Sequence, residues 1–250
     1  RYPVTATVTD TAGNATSDAS TNEVLFDNTA PSTPTVNALV TNDTSPVITG
    51  TANLQSGETL TVSVNGATYN VTVASNGTWS VDTGIATPAS GTLGAFVDGT
   101  SYPITATITD AANNTSSDST TNELRIDTTA PSAPAGDVAA ASDTGASNTD
   151  NLTADNTPTI VGSGTPGDTI TLYAPNGTTV LGTAVVATDG TWSVTPTTAL
   201  SDGLQNLKVT ATDPAGNESA KTTVPVTIDT QAPSAPAADV AAVSDTGTSN

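Results

Sequence analysis

Aspartate and asparagine are the residues here that recur with a spacing able to do chemistry. An Asp followed four residues later by Asn stands at Asp10–Asn14, Asp110–Asn114 and Asp213–Asn217. A second acid follows each pair, at Asp27, Asp127 and Asp229, inside the strings DNTAPSTP, DTTAPSAP and DTQAPSAP. A third group, Asp143, Asp150 and Asp155, lies within DTGASNTDNLTAD. Carboxylates, side-chain amides and turn carbonyls are the oxygen set that Ca2+ takes, six to eight at a time in adaptable geometry. The same residues suit turns and caps, because Asp and Asn bond their own backbone. Both readings stand for the first two sets. For the third, a cation site and a solvated loop are equally open. None of the spacings matches an EF-hand loop.

Other chemistry is poorly supplied. The chain has no Cys, His or Met. The commonest general base, the usual nucleophile–base pairs and the usual zinc or copper ligands are therefore missing. Carboxylate pairs could serve a glycosidase, but these Asp residues fall at repeat ends and nothing implies a cleft. Catalysis is not expected. There are 24 acids against 4 bases, a net charge of -20. The surplus is spread along the chain and repels nucleic acid and anionic membranes. No apolar run approaches the ~20 residues that span a bilayer, so no membrane insertion is expected in this segment. Without disulfides each domain must hold by core packing, with hard cations as the remaining aid.

These residues are placed by a repeat. YPVTATVTDTAGNATSDASTNEVLFDNTAPSTP at 2–34 returns as YPITATITDAANNTSSDSTTNELRIDTTAPSAP at 102–134, with no gap. A looser third copy, LKVTATDPAGNESAKTTVPVTIDTQAPSAP, occupies 207–236. A period near 100 residues fits a whole small domain rather than a solenoid unit. The expected division is the C-terminal part of one repeat at 1–29, full repeats at 30–129 and 130–231, and the start of another at 232–250. Asp43–Pro46 corresponds to Asp155–Pro158, an offset of 112, so the second full repeat carries about a dozen extra residues before that point. The first recovers them after Trp79, in TPASGTLGAFVDG. Asp245 repeats Asp143.

The local signal has period two. Leu60, Val62 and Val64 alternate with Thr and Ser, Asn65-Gly66 forms a two-residue hairpin turn, and Tyr69, Val71 and Val73 continue. Ile170 and Leu172, Ile104, Ala106 and Ile108, and Val224, Val226 and Ile228 follow the same pattern. Roughly seven short strands per repeat, with turns every 8–12 residues, predict an all-β two-sheet sandwich. One Trp per full repeat, Trp79 and Trp192 in GTWSV and GTWSV again, is expected in the core. Proline at the boundaries fixes φ and keeps its predecessor extended. The linkers should be short and stiff, and the array an extended rod.

The Asp-x-Thr-Ala-Pro-Ser-x-Pro junction, the DNTPTIVG opening at 155–162, the GTWSV strand and ATDPAGN at 211–217 resemble the immunoglobulin-like repeats of giant bacterial biofilm-associated and RTX-type adhesins. The resemblance covers the whole chain. It implies tandem immunoglobulin-like sandwiches placed end to end as an extracellular stalk on the bacterial surface, stiffened by calcium and serving adhesion and biofilm formation. In that topology the Asp-x-x-x-Asn loop lies at a domain's N-terminal end. Asp127 should then face Asp213 and Asn217, and Asp27 should face Asp110 and Asn114. Asp143, Asp150 and Asp155 could join Asp229 and Asp202 at the next junction. The first full repeat has the shorter TNDTSPVITG opening and would lack any site in that loop. The implied partners are neighbouring repeats. Two alternatives remain: a filament or sheath subunit packing against other copies, and a glycan- or protein-binding module, for which Phe96 is the candidate contact.

Overall fold

In a computed structural model of the chain, the residues described are 2–21, 24 and 26–238. The expected repeat of Asp143 at Asp245 lies outside them. Compact units divide the chain as Arg1–Thr129 with Pro214–Asn217, and as Ala130–Asp213 with Glu218–Asn250. All regular structure among the described residues is β.

The first unit opens with an exposed hairpin of β1 (Thr7–Thr9) and β2 (Ala15–Ser17). The strands that follow are β3 (Thr35–Val36), β4 (Leu39–Thr41), β5 (Val47–Thr51), β6 (Thr59–Val64), β7 (Ala67–Val71), β8 (Thr78–Asp82), β9 (Ser90–Gly91), β10 (Ser101–Tyr102), β11 (Ile104–Thr109), β12 (Thr115–Ser117) and β13 (Leu124–Ile126). They form sheets of order β3-β5-β8, β12-β11-β6-β7-β9 and β10-β13-β4. The alternating apolar positions of the sequence face inward: Ile48, Trp79 and Val81 from one sheet meet Leu60, Val62, Val64, Tyr69, Ile104, Ala106 and Ile108 from the other. This is the two-sheet packing that period-two patterning requires.

The second unit has β14 (Ala135–Val138), β15 (Leu152–Thr153), β16 (Ile160–Ser163), β17 (Thr169–Tyr173), β18 (Val180–Val185), β19 (Thr191–Val194), β20 (Gly203–Thr212) and β21 (Thr222–Ile228). Its sheets are β14-β16-β19 and β15-β21-β20-β17-β18. The core repeats the first: Ile160, Trp192 and Val194 against Ile170, Leu172, Leu207, Val209, Val224, Val226 and Ile228.

Each Trp sits on a glycine. Gly50 pairs with Trp79 and Gly162 with Trp192 across the ladder. A methyl group on Gly50 would lie 2.0 Å from Thr35 O and 2.4 Å from the Trp79 ring; on Gly162 it would lie 2.3 Å from Ala135 O and 2.4 Å from the Trp192 ring. The indole lies across the glycine backbone, which explains why VITG and TIVG carry glycine there. Asn65 and Gly66 have φ of 44° and 89° between the paired residues Val64 and Ala67, the turn their sequence predicts.

The two units part at the late strands. In the first, β10 ends at Pro103, which has no N–H for a ladder. Glu123, opposite it in register, is buried, and its Oε2 accepts a hydrogen bond from Ile104 N at 2.9 Å. Its Oε1 is buried without a partner. In the second unit Asn206 replaces that proline, and β20 runs unbroken for ten residues, pairing with β21 from Gly203 to Val209. The Asp110–Asn114 loop therefore joins β11 to the short β12, with β13 reached later in a separate sheet. Phe96, the candidate binding contact, is half-buried: it packs against the core and makes an edge contact with Tyr102, ring centroids 4.9 Å apart.

Candidate cation sites

The Asp-x-x-x-Asn loop is a tight, self-bonded turn. Asp110 Oδ1 accepts from Ala112 N and Asn114 N, both at 2.8 Å, and Oδ2 accepts from Asn114 Nδ2 at 2.8 Å. Asp10 and Asn14 repeat this arrangement. The Asn114 side-chain bond, followed by backbone donors, holds the Asp110 carboxyl below its ordinary range; desolvation opposes the shift. The turn reading is thus satisfied by geometry, because donors fill part of the carboxylate's capacity.

The amide of the same Asn reaches a junction residue. Asn114 Nδ2 donates to Asp27 O at 3.2 Å. Asn217 Nδ2 donates to Asp127 O at 2.8 Å, and Asn42 N donates to Ala215 O at 3.1 Å, so Pro214–Asn217 belongs with the first unit. Both contacts use the backbone carbonyl of the junction Asp and leave its carboxylate to other partners. Asp127 accepts from Thr129 N at 3.3 Å and pairs with Arg125 Nη2 at 3.1 Å. Asp27 accepts from Thr29 N, and Asp229 from Gln231 N.

Asp213 lies beside a residue that sequence reading missed. Asp168 precedes β17, is 3% exposed, and its carboxylate takes no hydrogen bond from the described groups. Burial, and secondarily the negative charge of Asp213, push its pKa above the ordinary carboxylate value. Asp168 lines a cleft of about 480 Å³ together with Asp189, Ser163 and Thr165. The corresponding Glu58 of the first unit turns back to accept from Gln55 N at 2.7 Å instead.

Asp98, which the sequence reading missed, and Asp202, which it named for the next junction, clamp the linkers. Asp98 accepts from Thr128 N at 2.6 Å and Thr129 Oγ1 at 2.7 Å. Asp202 accepts from Thr230 N and Oγ1 and from Gln231 Nε2. These bonds lower both pKa values, led by Thr128 N for Asp98 and by Gln231 for Asp202. Each sits in an Asp-Gly step just before a late strand, a signal that the sequence does carry.

The inserted loop of the second unit separates its three acids. Asp143 is buried, Asp155 is half-buried and Asp150 is exposed. Asp155 accepts from Thr157 N at 2.9 Å and Asp150 from Leu152 N at 3.2 Å. Among the described residues no group of three acidic side chains converges as a metal centre.

Two tandem immunoglobulin-like sandwiches with acidic turns and linkers define the class of protein. The chain belongs to the bacterial Ig-like domain family, whose model matches residues 29–128 and 129–230. No curated protein sequence matches it. A 1.5-MDa bacterial ice-binding adhesin structure, described for host cell surface retention, is 26% identical over 90% of this chain and 72% of its own, with a TM-score of 0.36. A Ca2+-stabilized adhesin by which an Antarctic bacterium binds ice is 29% identical over 89% of this chain and 55% of its own, with a TM-score of 0.38. A domain of a biofilm-associated protein is 26% identical over 80% of this chain and 30% of its own, with a TM-score of 0.30. The chain thus spans about half or less of the length of the last two.

Proposed function

We propose that this chain is a non-enzymatic extender segment of a large bacterial surface adhesin, located outside the cell. Its repeats act as spacers, and Ca2+ bound where one repeat meets the next limits their bending. Asp27, Asp110 and Asn114 would serve one such junction; Asp127, Asp213 and Asn217 the next; Asp229 would serve the one after. Asp168, beside Asp213, joins the second set.

The observation that carries this reading is a contact repeated with the period of the sequence. Asn114 reaches the carbonyl of Asp27, and Asn217 reaches the carbonyl of Asp127. A side chain that repeats its partner at every period supports a role in holding successive repeats. The surplus of acids gives the anionic ligands, and Asp168 supplies a further buried carboxylate beside Asp213. Binding to the folded state stabilises by mass action, about 2.7 kcal/mol at a hundredfold excess over Kd. Extracellular modules often bind in the range of about 10⁻⁴–10⁻³ M, where ambient calcium suffices.

Small-angle scattering of this chain in millimolar calcium and in EDTA tests the proposal. Calcium should lengthen and stiffen the particle, and EDTA should add flexibility and lower the melting temperature. Asp127→Ala should loosen the calcium form while leaving each unit folded. Identical dimensions and melting in the two buffers would remove calcium from the mechanism and leave proline stiffness alone.

A further inference from the structure

Asn-Gly steps occur at Asn65-Gly66, Asn76-Gly77 and Asn176-Gly177. This dipeptide can react with itself. The glycine nitrogen attacks Cγ of the preceding side chain, and the Cγ–Nδ2 bond breaks. The proton of the attacking nitrogen ends on the departing ammonia, and a cyclic imide remains. Water then opens the imide at either carbonyl, giving Asp or its β-linked isomer. The net change is one water consumed and one ammonia released, with no oxidant or reductant. The reacting atoms belong to adjacent residues, so the chain itself supplies their proximity. Glycine adds no Cβ to obstruct the attack.

The fold treats the three steps differently. Asn65 is half-buried, and its Nδ2 donates to Gly94 O at 2.8 Å and Ala95 O at 3.2 Å, so the leaving group is held. Asn176 is exposed, and its Oδ1 accepts from Thr178 N and Thr179 N, both at 3.0 Å, but its Nδ2 donates to Thr179 Oγ1 at 2.9 Å. Asn76 is exposed, and its Oδ1 accepts from Thr78 N at 3.1 Å and Thr78 Oγ1 at 2.8 Å. Its Nδ2 bonds none of the described groups. Donors already set on an oxygen that becomes negative during attack lower the barrier. Asn76 thus combines an activated carbonyl with an unheld leaving group. Its nucleophile must first leave Ala74 O, to which Gly77 N donates at 2.9 Å. Gly177 N is held likewise by Ala174 O at 2.8 Å, so this cost does not separate those two sites.

The second unit already displays the product. Asn76-Gly77-Thr78 corresponds to Asp189-Gly190-Thr191, each leading into the same Trp-Ser-Val. Asp189 Oδ1 accepts from Thr191 N at 2.9 Å and Thr191 Oγ1 at 2.7 Å, and Gly190 N donates to Ala187 O at 2.9 Å. Gly77 and Gly190 share φ of 83° and 84°. The same turn therefore holds Asn in one unit and Asp in the other. The Thr191 hydroxyl, followed by its N–H, keeps the Asp189 carboxyl below its ordinary range, so the acid is held ionised. We propose that Asn76 is a self-deamidating site whose α-linked product gives the first unit the acidic turn that the second carries from the start. Each event adds one negative charge while the turn persists, so charge accumulates with the age of the chain. The β-linked product adds a backbone carbon just before β8 and does not keep this turn.

Peptide mass spectrometry of the complete chain, aged at neutral pH beside a urea-denatured sample, tests it. In the folded chain a gain of about 1 Da should appear first at Asn76. Asn65 should react about tenfold more slowly, the ratio given by a barrier difference of about 1.4 kcal/mol, with Asn176 between them. In urea the three sites should react at similar rates, because the fold no longer separates them. Thr78→Val removes the hydroxyl donor at an exposed strand position and should slow Asn76 alone, by about threefold or more. Asn76→Asp should melt with the parent. Equal rates at the three sites of the folded chain, an Asn76 that outlasts Asn65, a Thr78→Val chain that reacts as fast as the parent, or an Asn76→Asp chain that melts well below it overturns the proposal. None of these readouts depends on calcium.

Discussion

The two full units share a core and differ at their edges. Trp79 over Gly50 and Trp192 over Gly162 superpose as one device, down to the 2.4 Å approach that excludes a Cβ. At the edge, the first unit breaks its late strand at Pro103 and repairs the break with the buried Glu123, whereas the second pairs β20 and β21 without interruption. Before β17 the second unit buries Asp168, where the first lets Glu58 cap its own turn. The core tolerates little, because close packing fixes volume. Edges tolerate substitution, and that is where charged groups with incomplete partners collect.

The largest effect tests the sameness of the cores. Trp79→Ala and Trp192→Ala should each cost about 3–5 kcal/mol, the usual cost of emptying a large aromatic site. Chemical denaturation should show one unit lost per variant, with similar losses in both. A melting temperature within a degree or two of the parent in either variant would break the equivalence. Next comes the edge of the first unit. Glu123→Ala leaves Ile104 N buried without an acceptor, a loss of about 1–3 kcal/mol. No equivalent residue exists in the second unit, so the effect should fall on the first transition alone.

The pH response sharpens the contrast further. Asp168 has a raised pKa, so its contribution to stability is fully present below the unfolded value of about 4 and is lost as pH rises through the folded value. Asp98, Asp110 and Asp202 are lowered, so theirs is present above about pH 4 and is lost as pH falls through their folded values. In EDTA, Asp168→Asn should therefore raise the melting temperature at pH 7 and lose that advantage toward pH 4. In calcium the advantage should shrink or reverse. A variant with the same melting profile as the parent across this range would show that burial of Asp168 carries no penalty.

The smallest expected effect is none at all. Lys208 Nζ bonds Thr223 Oγ1 at 2.6 Å, and Lys221 Nζ bonds Gly177 O at 2.9 Å above the Tyr173 ring. Neither meets an acid or amide partner, so no Lys–Asn isopeptide cross-link should form. Intact mass should equal the sequence mass, and a deficit of about 17 Da, the ammonia lost in amide formation, would contradict this.

Much of the fold was legible because its signals are local. Alternation picks the buried face of each strand, Asn65-Gly66 specifies its own turn through positive φ, and the repeat of Tyr2–Pro34 at Tyr102–Pro134 sets the period. The Asp110–Asn114 turn was equally legible, since its bonds span four residues. Asp168 and Glu123 were not. Nothing in PGDTI or TNELR announces burial, and each acquires its character from a strand far along the chain. Asp98 binds Thr128 across 30 residues, a separation over which sequence carries no geometric signal beyond its Asp-Gly step.

The sequence by itself determined the all-β class, the inward positions and the acidic oxygen supply, because period, turn chemistry and charge are properties of neighbouring residues. Tertiary structure decided which of those oxygens are spent and which are spare. Asp110 is engaged on both oxygens by its own turn, Asp127 lends its carbonyl to Asn217, and Asp143 keeps one buried oxygen with no donor among the described residues. Identical residues differ in this way because hydrogen-bond satisfaction depends on what the fold brings within about 3 Å, and only the packed chain sets that distance.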